Sequence, residues 1–499
     1  MPRRNLYLII AVGLLSAVCY FRVHRDRYGQ TLGEVIELIE QKSLDPAPRE
    51  KLFEGAMEGM LEQLDEHSAY ISPATLPGFQ QLIDQEFTGV GMEVAIEPKT
   101  KRLLVVSPLI GSPAYEAGIR AGDQIVSING RPTAEMTLKE SIEQMRGKVG
   151  ETVVLAVLHE GQREPVDLTI VRAVIHTDTV RGDTRNADGS WNFFLAGHDR
   201  IGYLRITSFG KDTSHNVAVA LGALTEQRLG GLIIDLRDDP GGLLEEAWKV
   251  CDLFINNDKY KGVIVTVRGP DKKIKKVYEA TAKSSLPRFP VAVIINQDSA
   301  SASEIVAACL QDHERAVIVG QRSYGKGTVQ EMIELGKSPA GDELGAIKLT
   351  TASYWRPSGR NIHHPHDAKN TKGGSVGREG RDSKEGKAGE ENDDWGVTPD
   401  KGYQVVLEEA EQTQWELWRS KRDALRPGTV APDDKPTGKP ADAKPADSAT
   451  KQPPPAKNGG TEKAGQKSQE KPFVDRPLAR AVQYIELEAA GASAAGGRK

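Results

Sequence analysis

From Ile201 onward the chain alternates short runs of branched apolar residues with amphipathic stretches, and this limits its possible folds more than any other feature. Strand-like runs lie at Ile201–Phe209, Leu232–Leu236, Val263–Arg268, Val291–Asn296 and Ala316–Gly320. Helical segments at Asn216–Gln227, Leu243–Ile255 and Ser303–Gln311 separate several of them. Strands that are apolar throughout need cover on both faces, and intervening helices supply it. The alternation therefore predicts an α/β core built on a helix-covered sheet.

Upstream, the period is different. Residues 31–86 read as helical: Leu52, Phe53, Ala56, Met57, Met60, Leu61 and Leu64 recur at three- and four-residue steps and form one apolar stripe, ended by Asp65-Glu66-His67-Ser68. A small helical packing domain follows from that pattern. From Phe87 the chain turns β-rich, with runs at Met92–Glu97, Leu103–Leu109, Gln124–Asn129, Thr152–Leu158 and Val166–Val171. Two helical pieces, near Pro113–Ala117 and Leu138–Arg146, separate them, and Gly122-Asp123 and Asn129-Gly130 supply turns.

The whole chain of 499 residues is 38% apolar, low beside the about 45–50% (glycine included) usual for globular domains. Two stretches explain part of the shortfall. His366–Asp394 and Pro427–Pro472 are rich in Gly, Lys, Pro and acidic residues and carry almost no large apolar side chains. Neither can bury enough surface to offset chain entropy, so both are predicted to be disordered, the second as a semi-extended linker. The formal charge of −5 gives no basic nucleic-acid surface. Three cysteines without a C-x-x-C pair exclude a disulfide scaffold and a zinc or thioredoxin-like site.

Leu6–Phe21 is an unbroken apolar run bracketed by Arg3, Arg4, Arg22, Arg25 and Arg27. It is short for a spanning helix, for which ~20 residues are usual. It ends in Tyr20-Phe21 where a cleavage site would need small residues. An uncleaved signal anchor is the favoured reading, and a cleaved signal peptide the alternative. The organisation expected is then an anchor at 1–27, a helical domain at 28–86, a β-rich domain at 87–173 and an α/β core at 174–426 interrupted at 366–394. A linker at 427–472 and a terminal helix and tail at 473–499 complete it.

Two segments of the core could carry a reaction. Ser299-Ala300-Ser301-Ala302-Ser303-Glu304 follows a strand and opens a helix, which aims N–H groups at whatever approaches Ser301. On those residues alone Ser301-x-x-Glu304 is equally a capping box. Tyr324-Gly325-Lys326-Gly327-Thr328-Val329-Gln330 follows the next strand and lacks the phosphate-loop pattern. A lysine acts as a base only when burial lowers its pKa, and flanking glycines permit such close packing. Gln330, four residues on, is placed to orient the amine. Other groupings are weaker. Cys309 and His313 share a helix face, His198-Asp199 with Ser214-His215 has no recognisable triad order, and His363-His364-Pro365-His366 reads as a fortuitous run, so no metal or cofactor is expected. Trp415 and Trp418 read as helix residues covering core.

Gly111-Ser112-Pro113-Ala114 followed by Ala117 to Gly130 (Ala-Gly-Ile-Arg-Ala-Gly-Asp-Gln-Ile-Val-Ser-Ile-Asn-Gly) resembles a PDZ domain, whose carboxylate loop falls on Gly89, Val90, Gly91 and Met92. The Ser-Ala-Ser-Ala-Ser-Glu and Gly-Lys-Gly-Thr-Val-Gln runs together resemble the S41 serine peptidases that process carboxy-terminal tails. So do Asp235-Leu236-Arg237-Asp238-Asp239-Pro240-Gly241-Gly242, Pro357-Ser358-Gly359-Arg360 and Gly396-Val397-Thr398-Pro399-Asp400. Asp475–Ile485 resembles that family's closing helix.

The resemblance implies a ClpP/crotonase-like core and a Ser–Lys dyad, with Ser301 as nucleophile, Lys326 as general base and Gln330 beside it. It also implies an oxyanion hole drawn from Ala302, Gly241 and Gly242. Protein or peptide substrates with apolar C-termini are the partners implied, with a homo-oligomer or adaptor left open. The location is the cell envelope, anchored in the inner membrane and facing the periplasm, or secretion if the leader is cleaved. One departure stands out: the family usually writes Asn-Asn-Pro-Gly-Gly where this chain has Asp238-Asp239-Pro240-Gly241-Gly242. Two carboxylates there could oppose an oxyanion unless they turn away or pair with Arg237. That departure is the one support for the opposing reading, a PDZ scaffold without catalysis.

Overall fold

The computed structural model of the chain describes residues 5, 7, 9–16, 27–84, 86–97, 100–159, 161–186, 189–256, 259–281, 286–338, 341–364, 395–423 and 473–496. The two inserts expected to be disordered lie outside these residues, as does much of the expected anchor. Among the described residues no helix is long and apolar enough to cross a membrane. The chain divides into two compact units, Met1–Pro77 with Gln330–Thr351 and Gly78–Val329 with Ala352–Lys499.

In the first unit, helices Arg27–Lys42 and Arg49–Leu61 precede a strand, Ala69–Ile71, that interrupts the helical reading of 31–86. It pairs antiparallel with Ala346–Lys348, a partner nearly three hundred residues away that no local periodicity announces. The predicted stripe is half-buried at Leu52, Phe53, Ala56 and Met57 and buried at Leu61, whereas Met60 and Leu64 are exposed. Asp65 closes the helical part. Its carboxylate accepts the N–H groups of His67 (2.8 Å) and Ser68 (2.9 Å) and the Ser68 hydroxyl (2.8 Å). The Phe53 and Tyr70 rings meet edge to face, and the Tyr70 phenol donates to the Leu344 carbonyl at 3.0 Å.

The second unit contains the PDZ-like sheet. Its strands are β1 (Met92–Ile96), β2 (Leu103–Pro108), β3 (Gln124–Ile128), β4 (Thr152–Leu158) and β5 (Val166–Val171), hydrogen-bonded in that order and antiparallel. Helix α1 (Leu138–Met145) is fixed at its start by a capping box between Thr137 and Glu140. Leu103, Val105, Ile125, Val153, Leu155, Val157 and Ile170 fill the core. All five strands fall within the runs read as β-rich.

The α/β core follows in the same unit. Strands β6 (Val180–Arg181), β7 (Ile201–Ile206), β8 (Gly231–Asp235), β11 (Val291–Ile295) and β12 (Val317–Gly320) form one sheet in the order β6-β7-β8-β11-β12. The pairs from β7 to β12 are parallel. Helices α2 (Thr213–Glu226), α3 (Leu244–Asp252) and α4 (Ala302–Asp312) alternate with them, while β9 (Val263–Arg268) pairs antiparallel with β10 (Ile274–Glu279) and with Ser353–Trp355.

Successive side chains on each strand go to opposite faces, and both faces here are apolar. Leu204, Ile206, Leu232, Ile234, Val291 and Val293 join the core formed with α2, α3 and α4. Tyr203, Ile233, Ala292 and Ile294 face Leu478, Ala481 and Ile485 of α6 (Arg476–Gly496). The predicted terminal helix therefore covers the second face of the sheet. Gly231 lets it approach, because a Cβ there would lie 2.1 Å from Ile485 Cγ2. Burying Leu478 and Ile485 fully stabilises this packing by about 1.5–3 kcal/mol each. Helix α5 (Glu409–Asp423) carries Trp415, buried as expected at 3% exposure, and Trp418, partly buried.

Candidate active site

The chain leaves β11 through a tight turn and enters α4 at Ser301, whose φ is 56° and ψ −112°. A residue with a Cβ holds that backbone at a cost of about 1–3 kcal/mol, sustained by the packing around it. Ser301 is 7% exposed. The capping box with Glu304 is formed, and the strained turn places the serine at the helix N-terminus.

Glu304 does more than cap. It is fully buried, and its carboxylate accepts the Ser301 N–H (2.8 Å) and the Lys326 N–H (2.9 Å) on Oε2. On Oε1 it accepts the Ser323 hydroxyl (2.6 Å) and the Gly325 N–H (2.7 Å). One carboxylate thus joins the serine turn to the lysine loop. Burial pushes this carboxyl up to about 7 although all four donors favour the ion.

Close packing fixes the lysine loop, as its glycines predicted. A Cβ on Gly325 (φ +88°) would lie 2.8 Å from His364 Cβ and from the Trp395 ring, and one on Gly327 would lie 2.2 Å from the His363 nitrogen. The Gly327 carbonyl accepts the Tyr354 N–H at 2.8 Å. Burial pushes the Tyr354 phenol up to about 12, against the Ser301 side chain, which acts to lower its pKa. Glu304 connects the serine to the lysine loop, and Tyr354 is tied to that loop through Gly327, roles that neither residue shows in the sequence. Glu304 was legible only as a cap, and nothing near Tyr354 in sequence points to Ser301. Lys326 itself is half-buried. Gln330 belongs to the first unit, where its Nε2 donates to Thr350 Oγ1 at 3.3 Å and Thr350 Oγ1 donates to Asp65 Oδ1 at 3.1 Å.

Opposite the serine turn lies the Asp238–Gly242 turn. A Cβ on Gly241 (φ +93°) would lie 2.6 Å from the Ala300 oxygen and 2.8 Å from Ser301 Cβ. The Gly241 N–H donates to Asp239 Oδ1 at 2.8 Å. Gly242 (φ +149°) is flanked by ladder bonds in which Phe209 N–H donates to Gly241 and Leu243 N–H donates to Phe209, an alternation that turns the Gly242 N–H the other way. The Ala302 N–H lies in the first turn of α4, where no intrahelical acceptor exists.

Neither aspartate hydrogen-bonds Arg237. Asp238 Oδ1 accepts from Asn296 Nδ2 at 2.6 Å, and Asp239 is buried. Arg237 is committed elsewhere: Nε donates to Asp235 (2.9 Å) and Nη1 and Nη2 donate to Asp475 (3.0 and 2.8 Å), the residue before α6. Burial works against its charge, but the two carboxylates outweigh it and hold its pKa well above the usual guanidinium value.

In the PDZ-like part, the carbonyls of Val90 and Gly91 turn inward to accept N–H groups of Ala114 (2.8 Å) and Leu109 (3.0 Å), and Ser112 Oγ donates to the Gly91 oxygen at 2.7 Å. Gly91 is required at φ +79°, since a Cβ would lie 2.3 Å from Ser112 Cβ. Met92 begins β1, which stands at the end of the sheet order with one edge unpaired among the described residues. No cluster of metal-ligating side chains occurs among the described residues. Cys309 is buried in the core and His313 Nε2 meets the Val263 carbonyl at 2.8 Å, while His366 lies outside the described residues.

Residues 200–369 match peptidase family S41 and residues 104–158 match the PDZ domain family. A carboxy-terminal-processing protease of Bartonella bacilliformis is 37% identical over 334 residues, covering 66% of this chain and 71% of that protein. The chain belongs to the S41 carboxy-terminal processing proteases. It is a serine-type peptidase. The carboxy-terminal processing protease CtpB of Bacillus subtilis is 34% identical over 340 residues, covering 68% of this chain and 66% of that one. Among solved structures, a photosystem II D1 C-terminal processing protease superposes with a TM-score of 0.40 at 24% identity, covering 77% of this chain and 89% of the other.

Proposed function

We propose that the protein is an endopeptidase working by a Ser301–Lys326 dyad, with its PDZ-like domain selecting the C-terminal tails of protein substrates. The carrying observation is the Glu304 carboxylate, which accepts the backbone N–H groups of both Ser301 and Lys326. In this reading neutral Lys326 takes the Ser301 proton as the hydroxyl attacks the scissile carbonyl. The proton then passes to the leaving amine, and water hydrolyses the acyl-enzyme with Lys326 again the base. The oxyanion is received by the Ala302 and Gly242 N–H groups, since the Gly241 N–H is already donated to Asp239.

The Gly89–Met92 loop and the free edge of β1 supply the tail site: inward-turned carbonyls leave the loop N–H groups for a terminal carboxylate, and the edge extends the sheet with an apolar tail. A location in the cell envelope, anchored through the N-terminal apolar run, belongs to the same proposal. Replacing Ser301 or Lys326 with alanine should abolish cleavage of an unfolded protein ending in apolar residues, while leaving its binding to the PDZ-like domain intact. Continued cleavage by either variant overturns the dyad.

A further inference from the structure

Asp239 stands where the family usually has asparagine, and its surroundings do not suit a carboxylate. The residue is fully buried. Oδ1 accepts the Gly241 N–H at 2.8 Å, while Oδ2 is buried without any hydrogen-bond partner. No cation faces it. On its own turn Arg237 is held by Asp235 and Asp475, and Asp238 bonds Asn296. On the segment packed against it, Asp298 and Glu304 are the ionisable groups, and both are acidic. A buried carboxylate with one orphan oxygen and no counter-charge is costly, and a proton on Oδ2 removes the charge, leaving a neutral hydroxyl whose burial costs far less than that of the ion. Burial holds this carboxyl well above the ordinary range, against the Gly241 N–H.

The backbone of Asp239 is equally engaged. Its carbonyl accepts the Ala300 N–H at 2.9 Å and the Ser303 hydroxyl at 3.0 Å, on either side of Ser301. Its side chain holds Gly241, whose Cα packs against Ser301. One residue therefore links the two halves of the site.

We propose that Asp239 is a positioning residue that works as a neutral carboxylic acid, taking the place of an amide and holding the Gly241-Gly242 turn against the serine turn. This rests on the reading that the turn serves acyl transfer at Ser301. The apparent threat of a negative charge beside the oxyanion then disappears, because that charge is absent.

The test compares the full-length parent with Asp239→Asn and Asp239→Ala. Unfolding by urea from pH 5 to 8 reads the protonation state independently of catalysis. Above the ordinary carboxyl pKa, the folded parent retains a proton that the unfolded chain has lost. Its stability relative to Asp239→Asn should therefore fall with rising pH, by up to tenfold in the unfolding constant per pH unit. A pH-independent difference overturns the acid form. Cleavage assays read the positioning role: Asp239→Ala should lose at least tenfold in kcat with little change in KM, and Asp239→Asn should restore most of that loss. Equal losses in both variants, or none in either, overturn positioning. If Asp239→Asn does not fold, the infrared carbonyl stretch of a protonated carboxyl at pH 8, present in the parent and missing in Asp239→Ala, decides the same point. Residual cleavage by Ser301→Ala would instead refute the dyad and leave the stability result standing.

Discussion

Gly241→Ala probes the contact between the two turns. The added Cβ would sit 2.6 Å from the Ala300 oxygen, 2.8 Å from the Ala302 nitrogen and 2.8 Å from Ser301 Cβ. Carbon atoms rest at about 3.5–4.0 Å, so one turn must retreat by roughly 0.7–1.2 Å. The backbone adds to this, because φ is +93° and a residue with a side chain holds such a conformation at about 1–3 kcal/mol. Overpacking contributes about 1–3 kcal/mol more. The total, about 2–6 kcal/mol, is appreciable against a domain stability of about 5–15 kcal/mol but leaves the variant folded.

Catalysis should suffer more. A shift of about 1 Å at the reacting groups, or loss of one oxyanion donor, costs about a hundred- to a thousandfold in kcat. KM should change little, because the oxyanion forms only after the substrate is bound. Steady-state cleavage and a urea titration on the same preparation give both numbers. A variant that loses stability but keeps kcat within about threefold would refute the placement of this turn beside the reacting carbonyl.

Three other outcomes follow from the same packing. Glu304→Ala leaves the N–H groups of Ser301, Gly325 and Lys326 without their acceptor; at about 1–3 kcal/mol for each buried orphan it should lower the urea midpoint severely and abolish cleavage, and a midpoint within error of the parent would contradict the shared-acceptor role. Asp475→Ala strips Arg237 of one of two buried carboxylates and should destabilise the fold by about 3–5 kcal/mol, with Asp475→Asn milder; equal, negligible losses would show that α6 is not tied to the sheet through this pair. Stability should peak on the acid side of neutrality. Glu304, raised from 4.5 to about 7, contributes stability that is complete below about 4.5 and is lost as pH rises through 7, roughly 1.4 kcal/mol per unit. Asp235, Asp312 and Asp423, held low in the fold against burial by arginine partners, contribute stability that is lost only as pH falls below the ordinary carboxyl range. A urea midpoint that climbs steadily from pH 5 to 8 would exclude this account.

What the sequence discloses about this protein depends on whether the physics is local. The strands of the PDZ-like sheet and the β7–β12 core are legible because side-chain alternation and buried runs are properties of neighbouring residues. The strand at Ala69–Ile71 is not, because its partner is Ala346–Lys348 and a short strand has no stable existence apart from it. Ser301 and Lys326 were recognisable as a pair only through resemblance, since Ser301-x-x-Glu304 reads equally as a helix cap. The structure adds what the cap pattern does not carry: the capping glutamate also gathers Ser323, Gly325 and Lys326. The Arg237–Asp475 pair was invisible for a related reason, joining positions more than fifty residues apart by one side-chain contact.

The Asp238-Asp239 departure shows why residue type alone misleads. Counted as charges, two aspartates beside an oxyanion site argue against catalysis. Their surroundings separate them. Asp238 turns to the Asn296 amide, and Asp239 occupies a buried niche offering one N–H and no counter-ion. In such a niche, ionisation costs more than retaining a proton, so a carboxyl and an amide of nearly equal shape become interchangeable there. At Asp239, then, the charge on which the scaffold reading rested is one that burial opposes.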